Sequence, residues 1–133
     1  MVQRRGDHGV DVVERWDRVF RCVSAEPRRQ IISSLLDAAP GEAVPLPDAA
    51  INPNLSVDVD SLRVELYHQH LPLLAENGFV EWNRNPLTVT HGPRFEEIGV
   101  LFEALHTYAE QLPDPLVNGC QRLEVERQFS SSD

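Results

Sequence analysis

Two strand-like runs, FVEW at 79–82 and LTVT at 87–90, flank the segment NRNP, and helical periodicity borders them on both sides. β-Branched and aromatic residues in runs of that length, parted by Asn and Pro, read as a β-hairpin with Arg84 at its tip. A two-stranded hairpin is marginal by itself in water and needs a further strand or a helix to pack on, and the helical periodicity on both sides supplies the latter. The chain is thereby confined to a mainly α fold with one small hairpin. Its 133 residues are the size of one domain with its own core.

The helices are legible from their apolar spacing. Val12, Trp16, Val19, Phe20 and Val23 predict a first helix over 10–23, after a flexible start at 1–9. SAEP breaks it, Pro27 fits the first turn of a second helix, and Ile31, Ile32, Leu35 and Leu36 give that helix its apolar face. Pro40-Gly41 ends it. Prolines 45, 47 and 53 forbid a long helix in the next segment, where VPL suits a short strand and PDAAI a single helical turn. Asp58, Asp60 and Ser61 are all candidate caps for a third helix over about 60–77. After His91-Gly92-Pro93, the residues Ile98, Leu101, Phe102, Leu105, Tyr108, Ala109 and Leu112 form the wide stripe of a fourth helix ending near Leu112. The tail at 113–133 has no strong pattern and is expected to be partly disordered at its Ser-rich end.

Within the third helix, Leu62, Leu66, His70, Leu73 and Leu74 share one side, and Val64, Glu65, His68, Gln69 and Pro72 the other. At about 100° per residue, His68 and His70 point some 200° apart and cannot chelate one metal. His70 is expected to be a hydrogen-bonded core residue, and His68 to face solvent. Pro72 predicts a mild kink, and Asn77-Gly78 supplies the left-handed residue that stops the helix.

Charge narrows the setting. Against 21 acids stand 12 bases, all of them arginine, for a formal charge of -9. An acidic surface without lysine suits molar salt, where the Debye length is about 3 Å and self-repulsion is screened. No apolar run reaches the roughly 20 residues that cross a bilayer, and the polar start lacks a signal peptide's apolar region. A cytoplasmic protein with no membrane partner is the expectation, with Cys22 and Cys120 as reduced thiols. No Gly-rich phosphate loop, nucleophile elbow or Cys-His spacing is present, so neither an enzyme nor a cofactor is expected.

Two segments carry a likeness to a known family. VSAEPRRQIISSLLDAA resembles the start of the second helix in ArsR-type transcriptional regulators, where Pro and paired Arg precede an Ile/Leu-rich helix. YHQHLPLLAENGFVEW resembles the end of their recognition helix and the first wing strand, in a form similar to a haloarchaeal branch of small winged-helix proteins. The likeness covers about residues 11–110. It implies a winged helix-turn-helix domain over 10–112 that binds double-stranded DNA. By that resemblance Arg63, Glu65, His68 and Gln69 would face the major groove, with Tyr67 near the edge. Asn83, Arg84 and Asn85 would touch phosphate or the minor groove, and Arg28 and Arg29 would hold the backbone. This sequence departs from the pattern in three ways. The helix before the third is short and proline-interrupted, the reader face is acidic (Asp58, Asp60, Glu65 and Glu76 against Arg63), and no cysteine of the metal-sensing motif lies in the third helix.

The stripe of the fourth helix, together with Trp16 and Phe20, either exceeds what a small core needs or folds onto its own domain. The resemblance implies a two-fold homodimer through Trp16, Phe20, Ile98, Leu101, Phe102, Leu105, Tyr108 and Leu112. Two functions stay open: a DNA-binding regulator, or a winged-helix module that binds another protein and no DNA.

Overall fold

The computed structural model describes residues 2–118 and 120–131. The chain folds as a mainly helical protein with a three-stranded antiparallel sheet. Helix α1 spans Val2–Val23, so it begins well before Val10. The residues from Gly9 to Asp17 are exposed.

Helix α2 (Glu26–Leu36) follows at once, with Pro27 in its first turn. Ile31, Ile32 and Leu35 are fully buried, and burying side chains of this size contributes about 1.5–3 kcal/mol each. The proline-rich segment then forms β1 (Val44–Pro45) and a single 3₁₀ turn at Asp48–Ala50, as VPL and PDAAI suggested.

The third helical segment is one rod in three parts. It comprises α3 (Val59–Glu65), a π turn (Leu66–His70) and α4 (Leu71–Glu76). Of the three candidate caps, Asp58 is the one used, its Oδ1 accepting from the N–H groups of Asp60 and Ser61 at 3.1 and 3.3 Å. The π turn is the local answer to Pro72. A proline ring collides with the carbonyl four residues back. Here the N–H of Leu71 donates to the Leu66 carbonyl, five residues back, and the extra residue in the turn opens the backbone ahead of the ring. The face rotates as a consequence. Leu62, Leu66, His70 and Leu74 are buried as expected, Leu73 is only half-buried, and Leu71 is fully buried. On an uninterrupted α-helix Leu71 would lie opposite Leu62.

Gly78, at φ +78°, ends the rod. Strands β2 (Val80–Arg84) and β3 (Leu87–His91) form the hairpin, and β3 pairs on its other edge with β1. The turn is shorter than NRNP: Arg84 pairs with Leu87, and Asn85-Pro86 alone close the loop through a cis peptide bond. Gly92 admits no side chain, since a Cβ there would lie 2.5 Å from the Gly78 carbonyl oxygen and 2.6 Å from the Val80 nitrogen.

Helix α5 (Phe95–Thr107) is shorter than the apolar stripe, which continues through a 3₁₀ turn at Ala109–Gln111. The tail is folded as far as it is described. Helices α6 (Asp114–Val117) and α7 (Gln121–Ser131) close a second small core of Ala109, Val117 and Leu123. Arginines fasten it. Arg122 Nη1 reaches the Ser33 carbonyl at 3.3 Å and the Asp37 carboxylate at 3.2 Å, and Arg127 donates to the carbonyls of Ala109 and Leu112 at 3.0 and 2.6 Å. These contacts join polar side chains to distant backbone, which leaves no periodic trace in sequence. Ser132 and Asp133, at the end expected to be disordered, lie outside the described residues.

Candidate nucleic-acid interface

The two arginines after Pro27 act at the carbonyl end of α1. Arg28 is buried, 4% exposed. Its Nε donates to the Cys22 carbonyl at 2.9 Å, and its Nη2 to the Arg21 carbonyl and Ser24 hydroxyl, both at 3.1 Å. Its Nη1 donates to His70 Nδ1 at 2.8 Å. Arg28 therefore does not hold a DNA backbone, contrary to the expectation: its guanidinium is enclosed, and its donors cap a helix. Arg29 is half-buried, with Nη1 on the Val23 carbonyl at 2.7 Å and Nη2 on Glu26 at 3.1 Å. It too is held by its own domain.

The Arg28 contact fixes the chemistry of His70. A guanidinium only donates, so Nδ1 must be the lone-pair nitrogen and Nε2 carries the proton. Nε2 faces the Glu65 carboxylate at 3.3 Å. Burial holds the imidazole below its ordinary range, with Glu65 opposing that shift and the charge of Arg28 adding to it. The π turn thus ends on a neutral histidine, tied to α1 through Arg28. Burial likewise pushes the Cys22 thiol up.

The hairpin is fastened to the rod by a different contact. Val80, Trp82 and Arg84 share one face of β2. Val80 is buried, and Trp82 lies with its ring centroid 6.0 Å from that of Tyr67. The Arg84 guanidinium folds back over both rings, 5.5 Å from Tyr67 and 5.1 Å from Trp82. In sequence FVEW signals only a strand and does not single out Trp82. Its alternation with Arg84 was the available signal.

Around this clasp, Arg63, His68 and Gln69 are exposed on the rod, and Asn83, Arg84 and Asn85 on the hairpin. Arg63 lies one turn before Tyr67, close to the clasp. Glu65 is exposed but engaged with His70. Asp58, Asp60 and Glu76 are exposed on the same rod, as are Val59 and Val64. Among the described residues no group of three or more His, Cys, Asp or Glu side chains could hold a metal ion, and no helix is long and apolar enough to cross a membrane.

The expected dimerisation residues divide. Trp16 and Phe20 are 47% and 59% exposed and stack on each other at 5.7 Å, and Leu105 and Tyr108 are 54% and 63% exposed. Leu101 and Leu112 are half-buried. Ile98 and Phe102 are withdrawn: at 0% and 8% exposure they belong to the domain's own core. Phe20, Leu101, Phe102, Leu105 and Leu112 border a cleft of about 930 Å³ between α1, α2, α5 and the tail.

No family model matches this chain, and neither a curated protein nor a solved structure matches it.

Proposed function

We propose that the chain is a winged-helix, ArsR-like transcriptional regulator of haloarchaeal type. It acts as a cytoplasmic homodimer in high salt and reads double-stranded DNA through the rod at 59–76 and the hairpin as its wing. The observation that carries this reading is the Tyr67–Trp82–Arg84 clasp. It fixes the hairpin against the rod, so that two exposed sets of hydrogen-bonding side chains are held as one body. Arg63 and Gln69 have the geometry for guanine and adenine edges, and Asn83, Arg84 and Asn85 suit phosphate or the minor groove. The helix-turn-helix is reduced, its first helix being the 3₁₀ turn at Asp48–Ala50.

Affinity rests on hydrogen bonds, shape and dimerisation. Phosphate neutralisation ordinarily supplies much of it, but molar salt removes the counterion gain and also screens the repulsion from Asp58 and Asp60. Arg63→Ala and Arg84→Ala are expected to weaken binding to a selected duplex about tenfold or more each, one good bidentate base contact being worth about 1–3 kcal/mol. Unchanged binding in both variants, read by fluorescence anisotropy, removes the proposal.

A second reading is favoured by Val59 and Val64, which are 41% and 58% exposed on the same acidic rod. Apolar side chains ringed by acids suit a basic, partly apolar protein segment better than a phosphate backbone. On that reading the chain is a winged-helix protein-interaction module without DNA binding.

A further inference from the structure

Most arginines of this chain are engaged. Arg15, Arg18, Arg29, Arg122 and Arg127 pair with acids, Arg28 is enclosed, and Arg84 lies on two rings. Among the described residues, the side chains of Arg21, Arg63 and Arg94 have no acid, carbonyl or aromatic partner. Arg21 and Arg94 come from distant parts of the sequence, yet they border the same polar cavity of about 350 Å³, with Arg18, Leu73, Glu76 and Asn77. Arg18 is held by Glu14 at 3.7 Å, which leaves the two unpaired guanidiniums of Arg21 and Arg94 beside the one carboxylate of Glu76, in a chain whose net charge is -9.

The fold prepares this convergence. The stem of Arg94 lies across Gly78, its Cδ and Cγ being 3.2 and 3.3 Å from where a Cβ would stand. The Arg94 N–H donates to the Gly78 carbonyl at 2.7 Å. The chain reversal at Gly78 therefore sets both backbone and stem of Arg94 beside the end of α4. Arg21 reaches the same place from the last turn of α1. Two guanidiniums without an acid partner on the rim of one polar cavity attract an anion. Guanidinium forks match the oxygens of a phosphate in geometry as well as charge.

We propose that Arg21 and Arg94, with Arg18, form a phosphate-binding site, with Glu76 as a counter-charge that limits its affinity. The phosphate belongs either to a free phosphorylated small molecule or to a DNA backbone. The first arm of the test titrates the intact chain with inorganic phosphate and with phenyl phosphate at fixed KCl, followed by ³¹P NMR. Arg94→Gln and Arg21→Gln should each weaken binding about tenfold, and Glu76→Gln should strengthen it several-fold. All three side chains are exposed, and circular dichroism verifies that each variant is folded. The second arm measures duplex binding by the same variants. Loss in the first arm alone identifies a small-molecule site, and loss in both identifies a backbone contact. Because the first arm uses no DNA, its result stands apart from the fate of the DNA-binding reading. Variants that bind phosphate and duplex as the parent does, or a parent that binds no phosphate in either arm, would overturn the proposal.

Discussion

Replacing Arg28 by Ala separates a structural arginine from a nucleic-acid contact. Two of its acceptors, the Cys22 carbonyl and His70 Nδ1, belong to buried hydrogen bonds. The Arg21 carbonyl and Ser24 hydroxyl are partly open, so water can replace the guanidinium there. An acceptor left unsatisfied in the interior costs about 1–3 kcal/mol, and two of them give about 2–6 kcal/mol. Against the roughly 5–15 kcal/mol of a typical domain this is a large loss. Lysine should recover only part of it, because one ammonium cannot span a helix end and an imidazole on another helix. Urea denaturation in molar KCl, followed by far-ultraviolet circular dichroism, reads the effect as a lower midpoint at unchanged slope. An unfolding free energy within about 0.5 kcal/mol of the parent, the level of an ordinary surface substitution, would refute the enclosed role of Arg28.

His70 and His106 are both held by burial below the ordinary value of 6.5, so on acidification the unfolded chain takes up their protons first. Stability present above pH 6.5 should therefore fall as the pH drops below it toward the folded-state values, and His70→Gln should flatten that fall in urea midpoints taken from pH 8 to 5. Gly92→Ala places a methyl group against backbone and should cost about 1–3 kcal/mol or more by the same assay. Leu71→Ala should cost about 2–5 kcal/mol, whereas an uninterrupted α-helix, with Leu71 on the outer side, would make it nearly neutral.

What was legible in the sequence follows what leaves a periodic trace. Ile31, Ile32 and Leu35, the strand pair 80–84 and 87–91, the short β1, and the stop at Asn77-Gly78 all appear close to where spacing and turn chemistry put them. The π turn does not, because it depends on relieving the Pro72 ring within a packed rod, and Leu71 moved inward with it. The tail was opaque for a related reason. Its small core is completed by arginines that reach Ser33, Asp37, Ala109 and Leu112, and an arginine on paper looks the same whether it faces water or a carbonyl. The same ambiguity placed Arg28 on the surface when it is in the core. At the candidate interface, the exposure of Arg63, His68, Gln69 and Asn83 accords with the helical and strand periods. The clasp that unites them needed the fold, since Tyr67 and Trp82 sit on different elements.

The most direct test of the central claim is selection of duplex DNA from a genomic fragment library at molar KCl by folded protein of known oligomeric state. The account predicts enrichment of an inverted repeat with half-sites about one helical turn apart, bound at least tenfold more weakly by Arg84→Ala. No enrichment by a folded, dimeric protein would contradict it.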